Sequence, residues 1–152
     1  MNQFAGKMIC CFAALAMNAA LAQDPGKQPA GVKFRPDEIV YKKNPLGVES
    51  AVLYGDPTKA GLFVQRVKIP AGFKVPPHWH PDSERTLTVM SGTLYFGLGE
   101  RWDESKMEPR PAGTFFAEVP KVAHYVWAKD GEVVLNITGM GPTGITTIEQ
   151  PK

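Results

Sequence analysis

The chain has 152 residues, 17 basic and 15 acidic side chains, a formal net charge of +2 and 43% apolar residues. That length supports one domain able to bury a core unaided, and the composition excludes a fibrous or disordered chain. No lysine or arginine cluster stands out, which argues against nucleic acid or an anionic membrane as a partner.

Residues 1–22 read as a secretory signal peptide: Lys7, an apolar run from Met8 to Ala20, and Ala20-Leu21-Ala22 before the polar Gln23-Asp24-Pro25-Gly26. The run is short for a membrane span. Both cysteines, Cys10 and Cys11, sit near its start, whereas a lipoprotein box places its cysteine at the end. Cleavage after Ala22 therefore leaves no disulfide and no thiolate ligand, and it sends the protein to the periplasm or outside the cell. After cleavage no membrane association is expected. Residues 23–33 are rich in Pro, Gly, Lys and Gln without apolar periodicity and read as a flexible lead-in, with the ordered domain spanning 34–150.

Ile39-Val40-Tyr41 and Ala51 to Tyr54 are short strand candidates bounded by Asn44-Pro45-Leu46-Gly47 and Gly55-Asp56-Pro57. Gly61 to Ile69 is a longer one, with Val67 and Ile69 opposite Arg66 and Lys68. Thr86 to Gly99 reads as two strands joined at Ser91-Gly92-Thr93. In the first, Leu87, Val89 and Ser91 share a face; the second is apolar on both faces except at Gly97. Residues 100–108 read as a loop or one helical turn, with Trp102 placed to cover a site mouth, and Pro109 to Ala112 as a break. Thr114 to Val119, Tyr125 to Trp127, Val133 to Thr138 and Ile145 to Ile148 complete the strands. Many short strands punctuated by glycine and proline predict an all-β antiparallel sandwich or barrel.

The chemistry concentrates between Gly72 and Gly92. His78 and His80 are two apart, so an extended chain turns both imidazoles to one side, and Pro76, Pro77 and Pro81 bias the chain toward that conformation. Trp79 then points the other way. Glu84 adds a carboxylate, and the two nitrogens and one oxygen suit iron, manganese, zinc, nickel or copper. His124, the remaining histidine, can close the set.

On these residues the chain resembles the cupin family, whose first motif runs Gly, five residues, His-x-His, three or four residues, Glu, six residues, Gly. Gly72, His78 and His80 match it. The second motif runs Gly, five residues, Pro-x-Gly-x-x-His, and Gly113 stands at the right distance from His124. Three departures occur: one extra residue between Glu84 and Gly92, Pro120 shifted by one with Lys121 at the motif glycine, and Ala128 in place of an asparagine. The carboxylate ligand is then Glu84 or Asp82, of which Glu84 fits the three-residue spacing. The Pro-Pro-His-x-His-Pro run is also similar to the germin branch.

The resemblance implies an antiparallel jelly-roll barrel holding one divalent metal on His78, His80, Glu84 and His124. Four protein ligands on an ion that accepts six leave two positions for water, substrate or dioxygen. The resulting expectation is a secreted oxidoreductase of the dioxygenase or oxidase kind acting on a small molecule, as a monomer or homodimer. Cupins also include isomerases, decarboxylases and binders, so a small-ligand binding module and a purely structural metal site stand as alternatives. Gln65, Arg85, Tyr95 and Tyr125 are further candidates for a pocket wall.

Overall fold

Alternating apolar residues, broken every few positions by glycine or proline, produce eleven strands in this computed structural model, which describes residues 31, 33–44 and 47–149. They are β1 (Lys42–Lys43), β2 (Glu49–Tyr54), β3 (Gly61–Ile69), β4 (Lys74–Trp79), β5 (Arg85–Ser91), β6 (Thr93–Leu98), β7 (Glu108–Pro111), β8 (Phe115–Glu118), β9 (His124–Trp127), β10 (Val133–Gly141) and β11 (Thr146–Thr147). No α-helix occurs among the described residues. The expected leader of residues 1–22, its two cysteines and most of the lead-in lie outside the described residues.

The strands form two antiparallel sheets, a six-stranded one in the order β1-β2-β3-β10-β5-β8 and a five-stranded one in the order β11-β4-β9-β6-β7. This is the jelly-roll arrangement. Inward-facing side chains of both sheets make the core, with Phe63, Leu94 and Val133 fully buried and Val89 and Leu87 close to it. The period-two pattern of β5 and β10 places Leu87 and Val89 opposite Ile137 and Leu135 in register. Fully burying aliphatic side chains of this kind contributes about 1.5–3 kcal/mol each.

Ser91-Gly92-Thr93 is where the chain leaves one sheet and enters the other. Gly92 has φ +76, and a Cβ there would lie 2.4 Å from the Glu132 carbonyl oxygen, so only glycine fits without a shift of backbone.

Two sequence expectations differ from the fold. The strand expected at Ile39-Val40-Tyr41 is displaced to β1, since the residues that pair with β2 are Lys42, opposite Ser50, and Lys43, opposite Glu49. Pro109 to Ala112, read as a break, contains most of β7. That strand lies at the edge of its sheet and pairs with β6 alone, so Pro109 and Pro111 need no amide hydrogen on the outer side.

Residues 100–107 contain a 3₁₀ turn at Glu104–Lys106, as one reading of the sequence held. They cover no site mouth. Trp102 packs on the outer face of the five-stranded sheet, 5.2 Å from the Tyr125 ring and 6.3 Å from Trp127, with the Lys74 ammonium over Trp102 and bonded to Glu104. Tyr125 is fully buried beneath this cover and donates to the Asp103 carbonyl at 2.9 Å. Its ring crosses Gly97, where a Cβ would lie 2.3 Å from it, which explains the gap in an otherwise apolar β6.

Candidate metal centre

The site is built at one end of the space between the sheets. In β4 the regular alternation would put Val75 and Pro77 inward and His78 outward. The ladder to β9 shifts between Val75 and His78, at two prolines that have no amide hydrogen to give it. The irregularity reverses the facing, so Val75 packs in the core and His78 also points inward, cross-strand from His124. His80 follows two residues on, on the same side, as its spacing predicts. Trp79 faces away and pairs with β11.

The three imidazoles converge. Ring centroids are 5.0 Å apart for His78 and His80, 4.4 Å for His78 and His124, and 5.4 Å for His80 and His124. One nitrogen from each lies within 4.8 Å of the other two. The opposite nitrogen of each ring is committed to a backbone carbonyl: His78 Nδ1 to Pro76 at 2.7 Å, His80 Nδ1 to Gly144 at 2.6 Å, His124 Nδ1 to Val122 at 3.1 Å. A carbonyl oxygen only accepts, so each Nδ1 carries the hydrogen and each Nε2 presents a lone pair. Burial lowers all three pKa values, to about 4 for His78 and His124 and about 2 for His80, which keeps the rings neutral near pH 7.

The fourth group is one the sequence reading missed. Glu118, at the end of β8, places Oε1 at 3.3 Å from His124 Nε2 and Oε2 at 3.9 Å from His80 Nε2. Arg85 holds it, donating from Nε to Oε2 at 2.7 Å. Burial raises the Glu118 pKa, against which the Arg85 cation works. Three lone pairs therefore converge, with a carboxylate 3.3 and 3.9 Å from two of them, an arrangement of acceptors that calls for a cation or a proton between them. This donor set fits a divalent metal.

Glu84, the carboxylate expected from spacing, is placed elsewhere. It is exposed, whereas the side chain of Glu118 is buried and reaches His124. The reason is strand parity: in β5 the inward residues are Arg85, Leu87 and Val89, so position 84 falls on the outer side. Counting four residues after His80 rather than three lands the motif position on Arg85 and brings Gly92 into register without an extra residue. Arg85 thus stands where the motif carries its acid, and the carboxylate beside the histidines is that of Glu118, its cross-strand partner in β8. The parity of Leu87 and Val89 was the signal that could have revealed this. Asp82, the other carboxylate considered, is buried and accepts from Arg85 Nη1 at 3.2 Å and from the Thr143 hydroxyl at 2.6 Å.

A cavity of about 250 Å³ extends from this cluster into the barrel. Its wall is mainly aliphatic, with Val126, Leu135 and Ile137 among its residues. Of the other candidates, Gln65 and Arg85 line it, whereas Tyr95 and Tyr125 sit on the opposite face of their sheet. Thr143, Gly144 and Ile145, between β10 and β11, also border it, and the Thr143 and Gly144 bonds above tie that segment to Asp82 and His80. Lys121 occupies the motif-glycine position and keeps a glycine-like backbone, φ 59, with its amide donating to the His80 carbonyl at 3.0 Å.

A protein-family model described as Cupin matches residues 42–149. A curated relative, germin-like protein 5-1 of Oryza sativa subsp. japonica, is 29% identical over 68 residues, which make up 43% of this chain and 30% of that protein. The matched stretch therefore spans under a third of the relative. Among solved structures, the polyketide cyclase RemF from Streptomyces resistomycificus superposes with a TM-score of 0.65 at 11% identity, covering 79% of this chain and 87% of that one. An uncharacterized conserved protein with a double-stranded β-helix domain from Klebsiella pneumoniae superposes with a TM-score of 0.60 at 20% identity, covering 79% and 99%. At such identities the likeness shows the fold.

Proposed function

This chain belongs to the cupin family, and from that premise we propose that it is a secreted, periplasmic metalloprotein that binds one divalent ion on His78, His80 and His124 with Glu118 as the carboxylate, and oxidises a small molecule. The observation that carries the reading is the convergence of three Nε2 lone pairs, each fixed by its own Nδ1–H to a backbone carbonyl. Bound there, the ion would supply Lewis acidity and, in a dioxygenase or oxidase, a route for electrons to dioxygen.

The chain's own groups divide the remaining work. The imidazoles are neutral and already oriented, so little reorganisation precedes binding. Glu118 balances charge and can hold a proton at Oε1, the oxygen not bonded to Arg85. Arg85 fixes the carboxylate's angle. The aliphatic wall strips water from whatever enters and strengthens every polar contact at the cluster.

Loading the mature protein with iron(II) or manganese(II) and following dioxygen uptake over a panel of small acids, phenols and diketones tests this reading. Uptake that needs both metal and substrate supports it. A non-catalytic binding module is the second reading, favoured by the commitment of Arg85, Asp82 and Thr143 to one another, which leaves Glu118 as the one acid facing the histidines. Metal binding with ligand-dependent stabilisation and no turnover would select it. Export is tested by sequencing the amino terminus of the periplasmic product, with Gln23 as the expected first residue; a cytoplasmic product that keeps Met1 would overturn it.

A further inference from the structure

We propose that the cavity selects a small monocarboxylate with an apolar body, its carboxylate read by Arg85 beside the metal centre; this rests on the metal-site reading above. Arg85 is buried, yet its bonds use only part of the guanidinium: Nε goes to Glu118, and Nη1 goes to Asp82 at 3.2 Å and Thr143 at 3.4 Å. Nη2 takes part in none of them, and the residue lines the cavity. A planar fork with an uncommitted N–H edge, close to three imidazole nitrogens, is suited to an oxyanion that also reaches the metal centre.

Charge bookkeeping sharpens the choice. The arginine and its two carboxylate partners sum to −1, so the metal-free pocket disfavours an anion. A divalent ion changes the sum to +1, which one monoanion neutralises in a cavity where unbalanced charge is expensive. Beyond this polar end the wall is aliphatic at Leu87, Val126, Leu135 and Ile137, with the neutral Asn44, Ser50 and Gln65 among them, and it carries no further charged side chain. A dicarboxylate would bury its second charge there with no cation to meet it.

The probes are hexanoate and benzoate against hexanamide and benzamide, which keep shape and remove charge. Binding is measured by calorimetry on the full-length mature protein, with zinc loaded and with metal removed by chelator. The acids should bind the loaded protein at least about tenfold tighter than their amides, and should lose that advantage when the metal is removed. Arg85→Lys, which keeps a charge but not the fork, should lose about tenfold for the acids and nothing for the amides. Equal binding of acid and amide to loaded wild-type protein would overturn the proposal while leaving the metal site standing. Equal binding of the acids with and without metal would also overturn it. Elemental analysis of the loaded sample separates these cases from the failure of the metal site itself: no bound zinc would remove the site and the proposal together.

Discussion

Arg85 is the residue on which the buried carboxylates Glu118 and Asp82 depend for a cation. Its side chain is 9% exposed, those of Glu118 and Asp82 are 7% and 0% exposed, and it bonds both at 2.7 and 3.2 Å. Arg85→Met leaves two carboxylates in a low-dielectric pocket with no cation. Removing one partner of a buried ion pair costs about 3–5 kcal/mol, because the charge left behind is unsolvated. A domain of roughly 120 residues has an unfolding entropy near 0.25 kcal/mol/K, so the midpoint should fall by about 12–20 °C. Thermal unfolding by circular dichroism in chelator, at pH 7.5, measures it free of any metal contribution. The double variant Arg85→Met with Glu118→Gln should recover about half of the loss, since Asp82 keeps its bond from Thr143. A shift under about 3 °C for the single variant, or a double variant whose losses simply add, would refute the reasoning that these charges depend on one another.

In a metal titration, Glu118→Gln should weaken binding by at least about tenfold, Glu84→Gln should leave it unchanged, and the reverse ranking would return the ligand role to Glu84. Metal-free protein should lose stability on acidification. The His78 and His124 pKa values are lowered from 6.5 to about 4, so the unfolded chain takes up protons first as pH falls below 6.5, and at pH 5 each ring contributes a loss on the order of 2 kcal/mol. Glu118, whose pKa is raised, acts in the opposite direction over the same range but is one group against three. Urea midpoints at pH 7.5 and 5.0 check this, and an unchanged or higher midpoint at pH 5.0 would contradict it. Lys121→Gly should stabilise by about 1 kcal/mol, since the left-handed backbone penalty of a lysine disappears there; a destabilised variant in the same urea assay would show that the Lys121 side chain matters more than its backbone.

Much of the fold was legible because β-structure writes itself in period two. Gly61 to Ile69 appears as a strand with the bounds read from sequence, and the break at Gly92 falls between strands. Pro109 and Pro111 misled because proline's meaning depends on whether a strand has one neighbour or two, and that is a property of the assembled sheet. The histidines were legible for a different reason: two share a strand and the third follows a second motif, so local spacing carried them. Glu118 was not legible locally. Its place depends on β8 lying beside β5 in register, which pairs it with Arg85 across 33 residues of sequence. The error at Glu84 was avoidable in principle, since the facing of Leu87 and Val89 already put an even-numbered residue on the outer side.

Metal analysis of the purified mature protein, isolated without added metal and again after loading, tests the central claim most directly. The convergence of His78, His80 and His124 predicts about one divalent ion per chain, lost in His78→Ala and in His124→Ala while the circular dichroism spectrum of the β-fold is retained. Absence of bound metal under every loading condition, in a protein that remains folded, would contradict it.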